Sequence, residues 1–235
     1  MAGFASWYQQ CNRFLEVTFI LQHLTSGPPA RGTEISTIKY QNGSCSLRNI
    51  FIHDKHVVSM IYYNKSVNQK QEPRVIPRYA ASRVGRLLIA YIADVLPFSR
   101  YMRWIFDESH RLDRDRVGAL FAWNGKDWDT DRFSEILGQW SEVAFGWRMG
   151  MSAWRTISIS IDIEHIRAAS RTVLANQGFM ANTLMAGHSR YTEEYNYEIT
   201  SVSLLGVSPT TIRVIFKVSS IFYELFRLRD YGPLN

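Results

Sequence analysis

The sequence predicts an α+β fold, mainly helical, with a small antiparallel sheet near its start. Two observations predict it. Val84, Leu87, Leu88, Tyr91, Ile92, Val95 and Leu96 recur at the spacing of one helix face, as do Ile212, Ile215, Phe216, Ser219, Phe222 and Phe226. By contrast, residues 47–53 and 57–63 are rich in branched and aromatic side chains on either side of Asp54-Lys55, which is a hairpin signal.

The elements follow in order. Residues 5–24 place Phe14, Leu15, Thr18, Phe19, Leu21 and Leu24 at roughly helical spacing, and Ser26-Gly27-Pro28-Pro29 breaks that helix. A second helix is expected from Arg31 to about Tyr40, with Thr33 and Glu34 in its first turn. Arg74-Val75-Ile76 supplies a third strand before Pro77, and the helix that begins at Ser82 is expected to stop at Pro97. Leu120-Phe121-Ala122-Trp123 with Asn124-Gly125 reads as a short strand and turn. Helical patterns resume at 131–145 and 153–174, with Gly178 as a C-cap for the latter.

The bulk composition narrows the function classes. An apolar fraction of 46% with 14% aromatic residues supports a packed core and excludes a disordered chain. A net charge of +6 suits a polyanionic partner. Cys11 and Cys45 make neither a disulfide framework nor a zinc site, so a reducing, intracellular compartment is expected. The chain has no run of about 18 apolar residues, so no membrane partner is expected. His53, Asp54 and His56 read as an exposed hairpin tip rather than a metal site. Asp127, Asp129 and Asp131 lack the glycine and closing glutamate of a calcium loop. No metal, cofactor or nucleotide loop is expected.

What remains is a set of residues suited to phosphate chemistry. A phosphodiester is an anion that becomes more negative as a nucleophile adds to phosphorus. Arginine answers that demand, because its planar fork binds two phosphate oxygens and keeps its charge. Arg31 and Arg155, from distant parts of the chain, can clamp both non-bridging oxygens. Glu34 lies one turn from Arg31 and can orient it, and Gly32 permits a close approach of DNA backbone. His188 adds to the cationic field, and Lys65 can protonate a departing oxygen. A tyrosine is the natural nucleophile once its phenol, with a pKa near 10, is activated by such neighbours. Tyr191, Tyr195 and Tyr197 all qualify on these grounds. Lys70, Arg74 and Arg78 lie near Lys65 in sequence and either track a phosphate backbone or belong to a surface loop.

In this order and wording the residues resemble the catalytic domain of tyrosine recombinases of the phage-integrase type. The first box is Ala30-Arg31-Gly32-Thr33-Glu34, the hairpin lysine is Lys65, the second box is Ala153-Trp154-Arg155-Thr156-Ile157, and the third is Ala186-Gly187-His188-Ser189. The family's nucleophile follows that histidine by nine residues, which selects Tyr197 here. Gly27-Pro28-Pro29 before the first box, Arg78, and Val95-Leu96-Pro97-Phe98 are similar to a fungal group. Its members occur in mobile elements and in segments preceding telomere-linked RecQ-type helicases. The second box departs from the family's His-x-x-Arg, since Ser152 stands three before Arg155.

The resemblance implies a division into three parts. Residues 1–26 would be a helix left from, or linking to, a DNA-clamping domain; 27–200 the recombinase-like catalytic domain; and 201–235 a C-terminal helical tail, whose aromatic stretch 216–226 reads as core or as a protomer contact for self-association. It implies DNA breaking and rejoining through a 3′-phosphotyrosyl intermediate, double-stranded DNA as partner, no cofactor, and residence in the nucleus. Arg31 and Arg155 would clamp the phosphate, Lys65 would be the general acid, His188 would support the transition state and Tyr197 would attack. The alternatives are a catalytically degenerate DNA-binding or scaffold module, and a helical interaction domain unrelated to DNA.

Overall fold

The computed structural model describes residues 2–43, 46–63, 74–106, 118–162, 164 and 209–226. The order is α1 (Ala2–Thr25), α2 (Gly32–Ile35), β1 (Ile50–His53), β2 (His56–Tyr63), β3 (Arg74–Tyr79), α3 (Ser82–Ala90), α4 (Leu96–Phe106), β4 (Ala122–Trp123), β5 (Lys126–Asp127), α5 (Thr130–Phe145), α6 (Met151–Ile161) and α7 (Pro209–Leu225). The chain is mainly helical with a small antiparallel sheet, the α+β arrangement its periodicities predict. Among the described residues no helix is long and apolar enough to cross a membrane.

The sheet runs β1-β2-β3, all antiparallel, with β2 central. Asp54 and Lys55 both take positive φ, 47° and 61°, and join β1 to β2 in a two-residue turn whose twist matches the strands. Asparagine or glycine is the usual choice there, and aspartate tolerates the left-handed region better than most residues. The third strand extends through Pro77, opposite Met60, and ends at Tyr79 opposite Val58. Proline is tolerated because β3 is the sheet's last strand, where a missing ladder donor costs least. Both faces of β3 are nevertheless covered, and Ile76 through Ala80 are all buried.

Three expectations change. The second helix closes after one turn, at Ile35, because the chain then turns so that Lys39 bridges Ala119 and Ile38 enters the core. Pro97 does not stop its helix. Tyr91–Val95 forms a π-helical turn between α3 and α4, and the widened turn absorbs the amide that proline cannot donate. His56 is not on an exposed tip. It is buried against Phe216, ring centroids 4.7 Å apart, while its Nδ1 meets Asp54 O at 2.7 Å.

One core joins both ends of the chain. Leu15 and Phe19 of α1 pack with Ile38, Met60, Ile61, Phe121, Phe133 and Ile136. Ile212, Ile215, Val218, Phe222 and Tyr223 of α7 belong to the same cluster. Ser219 Oγ donates to Ser26 O at 3.1 Å, tying α7 to the end of α1. The helix of residues 2–25 is thus packed into the central body. The apolar stripe of α7 is core, packed on the chain's own sheet, the first of the two readings its sequence allowed.

Candidate functional site

Three segments carry the described part of the predicted site. The break after α1 leads into Arg31, which has extended backbone (φ −74°, ψ 155°) and stands at the N-cap of α2. Its backbone N–H donates to Glu34 Oε2 at 2.9 Å, while Glu34 N donates to Arg31 O at 3.0 Å. Glu34 thus satisfies an amide that the helix start would leave without a partner, the glutamate half of a capping box. The carboxylate is buried, and Arg31 itself is half-buried.

Arg78 comes from β3, two residues beyond Ile76 on the same strand face. It is 5% exposed, and its Nη1 donates to Pro28 O, holding the loop that leads to Arg31. Burial pulls its pKa down to about 10, with Arg155 pushing the same way and the Glu34 carboxylate opposing. It therefore remains a cation at neutral pH. Arg78 does not lie along the surface as a backbone-tracking residue would. It stands behind the Arg31 loop, as an inner charge.

Arg155 is supplied by α6. Met151, Trp154, Ser158 and Asp162 form the inward face of that helix, and Trp154 packs near Phe226 with ring centroids 6.2 Å apart. This register leaves Arg155 half-buried at the edge of the buried face, in electrostatic reach of Arg78. Ser152, one turn earlier, is exposed. The structure brings Glu34, Arg78 and Arg155 into electrostatic reach of one another from three separate segments, α2, β3 and α6, with Arg31 joined to Glu34 through its backbone. Guanidinium groups partly withdrawn from water favour an anion.

Gly32 has a different use from the one expected. A Cβ placed there would lie 2.7 Å from both Thr130 Cγ2 and Thr130 Oγ1, so the glycine lets α2 sit against the first residue of α5. Asp129, one of the three alternating aspartates, caps α5 by accepting the Arg132 N–H at 2.8 Å. Among the described residues no cluster of His, Cys, Asp or Glu could hold a metal.

Lys65, Lys70, His188 and Tyr197 lie outside the described residues. Arg74 pairs with Tyr63 at the far end of the β2–β3 ladder. Sequence reasoning missed the inner role of Arg78, although its position two residues from Ile76 and two from Ala80 was the available signal. It also missed Gln22 and His23, buried polar residues of α1 that pattern reading could not distinguish from surface ones. No family model matches the chain, and no solved structure matches it significantly.

Proposed function

We propose that the chain breaks and rejoins DNA by the chemistry of a tyrosine recombinase. The observation that supports this reading is Arg78, buried and in electrostatic reach of both Arg155 and the Glu34 carboxylate that binds the Arg31 backbone. A scissile phosphate takes its two non-bridging oxygens to Arg31 and Arg155. Arg78 adds field from behind, and Glu34 keeps the Arg31 loop in place. Tyr197 attacks phosphorus and forms a 3′-phosphotyrosyl ester, and Lys65 gives its proton to the departing 5′ oxygen. His188 supports the charged transition state. The released 5′ hydroxyl later attacks the ester, so strand joining needs no nucleotide energy.

The second reading, a DNA-binding module that has lost the chemistry, is favoured by Ser152. A serine hydroxyl supplies neither the charge nor the proton transfer of the histidine that the family carries three residues before this arginine. A strand-cleavage assay on nicked duplex DNA separates the two. Arg31→Ala and Arg155→Ala are each expected to lower cleavage by about 10²-fold or more, as loss of one oxyanion donor does. DNA binding with no cleavage in the wild type would select the degenerate module.

A further inference from the structure

A second polar feature lies in the core beside Arg78. A cavity of about 20 Å³ is lined by Gln22 and His23 of α1, Ile35 and Ile38 at and beyond the end of α2, and Ile61 and Arg78 of the sheet, with further apolar side chains. That is room for one water molecule and little more. The lining is apolar except for Gln22, His23 and Arg78.

Two of these side chains bring unmet hydrogen-bonding capacity. Gln22 and His23 are more than nine-tenths buried, and neither Gln22 Oε1 nor His23 Nε2 has a hydrogen-bond partner among the described residues. The amide orientation of Gln22 is fixed by its neighbours. Ser59 Oγ donates to Arg78 O at 3.5 Å, so it accepts from Gln22 Nε2, 3.1 Å away. Gln22 Oε1 is left as an acceptor. His23 is neutral at ordinary pH, since burial and the Arg78 charge bring its pKa down to about 3.

We infer that this cavity is a binding site for one ordered water, held by Gln22 Oε1 and His23 Nε2 beside the Arg78 guanidinium. The lining excludes the other occupants of this size. An anion would face the Gln22 carbonyl oxygen, and a cation would face Arg78. An apolar atom would leave Gln22 Oε1 and His23 Nε2 desolvated without partners. Water alone donates to the amide oxygen while also meeting the imidazole nitrogen, and buried waters ordinarily make two to four such bonds. The water ties α1 to the layer that carries Arg78. The inference is independent of any action on DNA.

The test is a high-resolution crystal structure of the unliganded wild-type chain, joined to water-to-protein cross-relaxation NMR on the same protein. A density peak within hydrogen-bond distance of both Gln22 Oε1 and His23 Nε2 is expected. So are cross-peaks from a slowly exchanging water to protons of Ile35, Ile38 or Ile61. A dry cavity overturns the inference, as do a His23 or Gln22 rotamer that finds a protein partner, or a bound ion in the water's place.

Discussion

The backbone N–H of Arg31 donates to Glu34 Oε2 at 2.9 Å, and the same buried carboxylate lies in the field of the Arg78 guanidinium. One acidic side chain therefore holds the loop of the first predicted catalytic arginine and offsets part of a buried positive charge. Replacing Glu34 by alanine removes both functions. The expected loss is about 2 kcal/mol or more, combining a lost cap with a less compensated buried cation. Glu34→Gln keeps an acceptor and should cost less. Urea unfolding of the two variants checks the order.

His23 makes stability depend on pH. Its folded pKa, about 3, lies below the ordinary 6.5, because burial and Arg78 disfavour the imidazolium. Below pH 6.5 the unfolded chain binds a proton that the folded chain refuses. This contribution to stability is therefore intact above that pH and declines as pH falls towards about 3. The slope approaches about 1.4 kcal/mol per pH unit. Unfolding free energies of wild type and His23→Gln, compared at pH 7 and pH 4.5, should converge or cross at the lower pH.

Tyr223 tests the attachment of α7. Its buried hydroxyl donates to Tyr79 O, on the strand that also carries Arg78. Tyr223→Phe leaves that carbonyl short of a donor and should cost about 1–2 kcal/mol. Phe222→Ala, in the same core, should cost about 3–5 kcal/mol. If α7 were a loose tail, both changes would leave the thermal midpoint where it was.

Gly32→Ala places a methyl group against Thr130, with 2.7 Å to its nearest atoms. Destabilisation of about 1–3 kcal/mol is expected from such overpacking. In the double variant with Thr130→Gly the cost should be well below the sum of the two single changes. Additive losses would mean that the two residues do not meet.

Part of this was legible in the sequence, and the reasons are local. The Asp54-Lys55 hairpin, the Asn124-Gly125 turn and the α7 stripe each declare themselves through spacing or turn chemistry within a few residues. Pro97 misled because the proline rule assumes an α-helical ladder, and the π-helical turn at Tyr91–Val95 changes the pairing just before it. Arg78 misled because arginine is ordinarily exposed, and its burial depends on the loop at Pro28 and on Gln22 and His23 of α1, which line the same cavity. Of the predicted site, Arg31, Glu34 and Arg155 could be named from their motifs. Their proximity through Arg78 could not, since it depends on the tertiary meeting of a loop, a strand and a helix.

In the proposed function these arginines serve a tyrosine that attacks DNA. Trapping the wild-type chain on nicked suicide duplexes and mapping the covalent adduct by peptide mass spectrometry tests it. A phosphotyrosyl peptide containing Tyr197 is expected, absent from Tyr197→Phe and strongly reduced in Arg31→Ala and Arg155→Ala. An adduct on another residue, or no adduct from protein that is folded and bound to the DNA, would contradict it.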